Sequence, residues 1–146
     1  MKQSSTAKLN IKSAKKSAST FSSITQIHHL ALLSAEPTRL ANFYRKVFDL
    51  KPLSIQRANG KIRSIWFSFN GTILMIERSH LKKSARTNNG YHLLAFTIKS
   101  NSAGVWRKRL SNHKIMISTE SKYSIYFNDP DGNRLALSAY PDKLST

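Results

Sequence analysis

Residues 25–48 read TQIHHLALLSAEPTRLANFYRKVF, and within this stretch the apolar period changes from two residues to between three and four. Side chains in Thr25–Ser34 alternate between the two faces of a predicted β-strand, and His29 shares its face with Ile27, Ala31 and Leu33. Pro37 suits the first turn of a helix. The apolar residues that follow are spaced i, i+3, i+4 and i+7, namely Leu40, Phe43, Tyr44 and Val47. The stretch therefore predicts a strand followed by an amphipathic helix that ends near residue 48.

The rest of the chain predicts three strands, a polar linker and then the same order again. The three strands are 51–57, 61–69 and 72–77. Asn-Gly dipeptides separate them, which favours tight antiparallel hairpins. Residues 79–90 are polar and predict the linker. The second half predicts a strand, a helix and three strands at 91–99, 102–111, 114–119, 122–128 and 134–140.

The two halves share a fixed offset. His29 and His92 lie 63 residues apart, and so do Phe43 and Trp106, the aromatic anchors of the two predicted helices. The same offset in a strand and in a helix, within the same element order, indicates a duplicated unit. We therefore expect an α+β domain built from two βαβββ modules.

The charge of the chain is strongly basic, with 24 Lys and Arg against 7 Asp and Glu. Residues 1–23 hold five lysines, no acid and few large apolar groups, so we expect a disordered basic tail before a domain at residues 24–142. The domain stays basic. Such a charge attracts nucleic acid, acidic membrane surfaces or a small anionic ligand, and does not choose among them. Lysines on solvated faces that keep the protein soluble explain it equally well.

Several classes of protein are excluded or unsupported by the sequence. Without cysteine there are no disulfides, thiolate metal sites or cysteine nucleophiles. The sequence has no apolar run long enough for a membrane span and no secretory signal, so we expect a soluble, cytoplasmic protein. It also has no RNP-like aromatic pattern, helix-turn-helix spacing or finger motif, and we expect no specific nucleic-acid partner.

Three quoted stretches resemble a known family. The segment IHHLALLSAEPTRLANFYRKVFDL is similar to the opening of the vicinal oxygen chelate superfamily, which contains glyoxalases, bleomycin-resistance proteins and extradiol dioxygenases. The segments YHLLAFTI and YSIYFNDPDGNRLALSAYP are similar to its second half. The resemblance implies that the modules form a cupped, mostly antiparallel sheet with helices on the outer face and a small-molecule site in the cup.

The resemblance also implies candidate metal ligands. Metal-binding members draw ligands from the first and last strands of each module, and the matching positions here are His29, Glu77, His92 and Ala136. Two imidazoles and a carboxylate suit Zn, Fe, Mn or Ni. Alanine neither ligates nor accepts a proton, which makes a standard glyoxalase reaction doubtful. His28 is expected to point away from His29 by strand alternation. Without the resemblance, these histidines would be hydrogen-bonded structural residues and Glu77 a rim carboxylate.

Two function classes follow from the resemblance. The first is a lyase or dioxygenase that uses a divalent metal, and the second is a metal-free small-molecule binding protein of the antibiotic-binding, bleomycin-resistance kind. Either the single chain closes its own cup, or a homodimer places His29 and Glu77 of one chain opposite His92 of the other. Strand parity predicts five substrate-contacting positions in the cup, namely Trp66, Ser68, Ser124, Tyr126 and Ala136. The predicted ligand is a small molecule, and the basic charge is compatible with an anionic one.

Overall fold

The computed structural model describes residues 27–79 and 92–145. The predicted tail at residues 1–23 lies outside the described residues, and so do residues 80–90 of the predicted linker.

The first module is a four-stranded sheet with one helix. Its elements are β1 (His29–Ser34), α1 (Pro37–Phe48), β2 (Pro52–Ala58), β3 (Lys61–Phe69) and β4 (Thr72–Arg78). The strand order is β1-β4-β3-β2, with β1 parallel to β4 and the other pairs antiparallel. Both hairpin turns are Asn-Gly pairs with positive φ, as the sequence predicts: Asn59 at 51° with Gly60 at 72°, and Asn70 at 42° with Gly71 at 93°.

The second module repeats this arrangement. Its elements are β5 (Leu94–Thr97), α2 (Ala103–Asn112, after a 3₁₀ turn at Ser100–Ser102), β6 (Ile117–Glu120), β7 (Ser124–Asn128) and β8 (Arg134–Ser138). The order is β5-β8-β7-β6, and only β5 and β8 are parallel. The α+β fold of two βαβββ modules is therefore confirmed, with each module forming a sheet of its own.

Both modules contribute to a single hydrophobic core. The ring of Phe48, at the end of α1, lies 4.7 Å from the ring of Phe96 and 5.9 Å from that of Trp106, both in the second module. It also lies 6.4 Å from the ring of Phe127, which is completely buried in β7. No helix of the described chain is long and apolar enough to cross a membrane.

Each sheet turns one face to this core, and the side chains of its other face lie outside the core. In β1, for example, Leu32 is 2% exposed, whereas Leu33 on the opposite face is 52% exposed. We call the two outward surfaces the first and second open faces. The first open face holds His29, Ala31, Leu33, Ser64, Trp66, Ser68, Ile73, Met75 and Glu77. The second open face holds Ala95, Thr97, Ser124, Tyr126, Arg134, Ala136 and Ser138.

The Asp-Pro-Asp-Gly-Asn segment is a turn that joins the modules. The buried carboxylate of Asp129 accepts hydrogen bonds from the backbone N–H of Asp131 and of Asn133, both at 2.9 Å, and from Nδ2 of Asn133 at 2.6 Å. It also accepts one from the Tyr44 hydroxyl of α1 at 3.0 Å. These four bonds fix the turn against α1, and Arg39 of α1 adds an ion pair with Asp131.

The stability of this turn should depend on pH. Burial raises the pKa of the Asp129 carboxyl above its ordinary value, and hydrogen bonds from Asn133, Tyr44 and Asp131 partly oppose the shift. The folded chain thus holds that proton more tightly than the unfolded chain. This contribution to stability is complete below the unfolded pKa and is lost as the pH rises through the folded pKa. We expect the free energy of unfolding of the parent, relative to the Asp129→Asn variant, to increase as the pH falls from about 7 to about 4.

Denaturant unfolding of both proteins at the two pH values measures this difference. The asparagine does not titrate, and the other acidic groups cancel in the comparison. A difference that stays constant or shrinks towards acid pH would contradict the raised pKa of Asp129.

Candidate functional site

The register of the first sheet separates two of the predicted metal ligands. His29 pairs with Ile73 on the neighbouring strand, whereas Glu77 pairs with Leu33. The two residues share a face but lie four positions apart along it, which is about 13 Å at about 3.3 Å per residue. The positions beside His29 on β4 are the apolar Ile73 and Met75. His29 and Glu77 therefore occupy different ends of the first open face.

The two adjacent histidines contact each other. Nδ1 of His28 lies 3.0 Å from Nδ1 of His29, and the rings meet edge to face with centres 5.3 Å apart. The prediction that His28 points away from His29 is wrong. β1 begins at His29, so strand alternation does not extend to the residue before it.

His92 is placed by an arginine. It precedes the first residue of β5, Leu94, by two positions, and its Nε2 lies 2.6 Å from Nη1 of Arg134. Because a guanidinium nitrogen has only N–H donors, the imidazole nitrogen is the acceptor. One of the two imidazole nitrogens that could bind a metal is thus engaged by a cation.

Ala136 lies beside this pair on the second open face. It is 1% exposed, pairs with Tyr126 on one neighbouring strand and pairs with Ala95 on the other. No donor atom is available at this position, where the family resemblance implies a carboxylate ligand. The guanidinium of Arg134 lies over the Tyr126 ring, at 4.9 Å from its centre.

The donor set does not fit a divalent metal within one chain. Across residues 27–79 and 92–145, no three His, Asp or Glu side chains come together in a group that could hold a metal ion. Ligand distances of about 2.0–2.2 Å require such a group. A second chain would have to bring His29 to His92, and Glu77 would still lie about 13 Å from His29 along the first open face.

The predicted substrate-contacting residues divide between the two open faces. Trp66 and Ser68 lie on the first, and the indole N–H of Trp66 donates to the Ser64 hydroxyl at 2.9 Å. Ser124 and Tyr126 lie on the second with Ala136. One chain does not bring the two sets into a shared cavity, because their faces point away from a common core.

A cavity of about 800 Å³ lies at the Glu77 end of the first open face. Its wall contains the cations Lys61, Arg63 and Arg78 together with Glu77. Arg78 is held there by the Ile62 carbonyl at 2.7 Å. The excess of positive charge suits an anionic group more than a cation.

Sequence reasoning missed Arg134. It follows a turn and starts a strand, a context that predicts an ordinary solvated charge. The signal was its parity, because Arg134 lies two residues before Ala136 and therefore on the same face.

Comparison with known proteins places the chain in a family. The model of the Glyoxalase/Bleomycin resistance protein/Dioxygenase superfamily matches residues 26–137. Metallothiol transferase FosB of Bacillus licheniformis is 30% identical over 122 residues, which cover 78% of this chain and 75% of that protein. Metallothiol transferase FosB of Staphylococcus saprophyticus is 27% identical and covers 78% of this chain and 76% of its own length.

Solved structures agree on the fold. A point mutant of the fosfomycin resistance protein FosX of Listeria monocytogenes, complexed with Mn(II) and 1S,2S-dihydroxypropylphosphonic acid, gives a TM-score of 0.65 at 20% identity, over 80% of this chain and 91% of that one. Lactoylglutathione lyase of Agrobacterium tumefaciens gives 0.61 at 21% identity, over 79% and 93%. The chain therefore belongs to the glyoxalase, bleomycin resistance protein and dioxygenase superfamily.

Proposed function

We propose that this chain binds a small anionic molecule on its open faces without a resident metal ion, as a binding-type member of its superfamily. The observation that carries the proposal is that the predicted metal-ligand positions do not form a metal site. Ala136 offers no ligand atom, His92 accepts a hydrogen bond from Arg134 at 2.6 Å, and Glu77 lies four positions along the sheet from His29. The cationic side chains at the open faces suit direct binding of an anion.

Small phosphonates are the first ligands to test. The relatives include fosfomycin resistance proteins, and one of them was solved with a dihydroxypropylphosphonic acid. The chain carries a formal net charge of +17, which favours an anionic ligand over a neutral one.

A second copy of the chain closes the cup in this proposal. Both open faces point away from the core of their own chain, and β1 and β5 are edge strands of their sheets. In a homodimer, the first open face of one chain would lie against the second open face of its partner. This arrangement would cover both open faces and enclose a ligand between them.

Calorimetric titration with fosfomycin and with 1S,2S-dihydroxypropylphosphonic acid tests the binding. We expect a dissociation constant between about 1 μM and 1 mM for at least one of them, with the same value in EDTA and in added Mn(II). Absence of binding to both phosphonates under every condition would contradict the proposal, and so would binding that requires Mn(II).

The second candidate is a metal-dependent enzyme, for which the predictions of lyase or dioxygenase activity remain untested. The observation that favours this class is the 30% identity to a metallothiol transferase. It requires His29 and His92 to meet across a dimer. Loss of free thiol on mixing the chain with fosfomycin, cysteine and Mn(II), above the rate without protein, would support this candidate against the first. The predicted cytoplasmic location also stays a prediction, which cell fractionation would test.

A further inference from the structure

Three side chains of different character meet at one end of the second open face. Arg134 begins β8, its Nη1 donates to Nε2 of His92 at 2.6 Å, and its guanidinium lies 4.9 Å from the centre of the Tyr126 ring. The imidazole and the aromatic ring both restrict the guanidinium. We call these three residues the Arg134 cluster.

Arg134 differs from the arginines that are neutralised by acids. Arg39 and Arg107 both form salt bridges with carboxylates. Among the residues that the structure describes, no carboxylate lies within ion-pair distance of Arg134. A guanidinium carries five N–H donors, and His92 takes one of them. The cation is therefore held in place while most of its donors stay available.

The second open face beyond the cluster adds no negative charge. Ala136 follows on the same face with 1% of its surface exposed. Farther along, the hydroxyls of Ser124 and Ser138 bond to each other at 2.8 Å. An anion that approaches Arg134 along this face meets neutral groups only. This is the reverse of a face that carries a carboxylate to hold a metal.

We propose that the Arg134 cluster binds the anionic group of the ligand directly, an inference that rests on the proposed function. The ligand is a small molecule with a phosphonate or a carboxylate. Two of its oxygens accept parallel N–H bonds from the guanidinium, the geometry in which arginine recognises such groups. His92 and Tyr126 act as positioning residues that fix the plane of the guanidinium.

Titration of the parent and of variants with small-molecule probes tests this assignment, and the control variant removes the same charge elsewhere. The probes are 1S,2S-dihydroxypropylphosphonic acid, lactate and the uncharged propane-1,2-diol. We expect Arg134→Gln to weaken binding of the anionic probe that the parent prefers by roughly 10- to 100-fold, and Arg134→Lys to weaken it less. Arg45→Gln removes the same charge from an exposed site on α1 and should change the affinity by less than about twofold.

The positioning role of His92 has its own readout. His92→Ala should weaken binding, and His92→Gln should restore most of the loss because its amide oxygen also accepts a hydrogen bond from Arg134. Circular dichroism confirms that each variant is folded.

The outcomes separate this inference from the proposed function. If the parent binds an anionic probe and Arg134→Gln binds it equally well, the cluster is not the anion site while the proposed function stands. If the parent binds neither of these anionic probes nor fosfomycin, the proposed function fails with it. Tighter binding of propane-1,2-diol than of both anions would also overturn the assignment.

Discussion

Replacement of Phe127 with alanine is expected to lower the free energy of unfolding by about 3–5 kcal/mol. Phe127 is completely buried in β7, and its ring lies 6.4 Å from that of Phe48 on α1. Truncation removes this contact between the two modules and leaves a cavity in their shared core. Denaturant unfolding of parent and variant measures the loss.

An exposed apolar residue serves as the control for this change. Met116 is 85% exposed, so Met116→Ala should shift the free energy of unfolding by no more than about 0.5 kcal/mol. A loss below about 1 kcal/mol for Phe127→Ala would mean that the modules do not share the core described above.

Introduction of a charge at Ala31 is expected to dissociate the proposed dimer and to abolish binding of the phosphonate probe. Ala31 lies on the edge strand β1, on the first open face, where the partner would bury it. An unpaired buried aspartate costs several kcal/mol, so Ala31→Asp should raise the dimer dissociation constant by at least about 100-fold. Sedimentation over a range of concentrations measures this constant.

The matched control places the same charge outside both open faces. Val105 is 69% exposed on α2, and Val105→Asp should leave both the dimer and probe binding unchanged. A parent chain that binds the probe as a monomer, or an Ala31→Asp variant that remains dimeric, would contradict the proposed cup.

The fold could be predicted from the sequence because local patterns specify it. The helix spacing of Leu40 to Val47 indicated an element that spans Pro37–Phe48 in the structure. The Asn-Gly pairs indicated the hairpins, and the 63-residue offset indicated the duplication. Element ends were less accurate, since β5 begins at Leu94 and not at residue 91.

The site was harder to predict because it depends on non-local pairing. Glu77 was chosen because it matches the family's ligand position on the last strand of the first module. The parallel register of β1 and β4 sets its distance from His29, and no local pattern encodes that register. His92 was expected to lie within the strand predicted at residues 91–99, but β5 begins two residues after it, at Leu94. Its contact with Arg134, 42 residues away, follows only from the pairing of β5 with β8.

Metal analysis tests most directly whether the cup holds its ligand without a metal ion. The chain is purified without chelator, incubated separately with Mn(II), Fe(II), Ni(II) and Zn(II), freed of unbound ions and examined by inductively coupled plasma mass spectrometry. We expect well below one bound ion per chain for every metal, with no change in the His29→Ala variant. One ion per chain or per dimer, lost in His29→Ala, would contradict it.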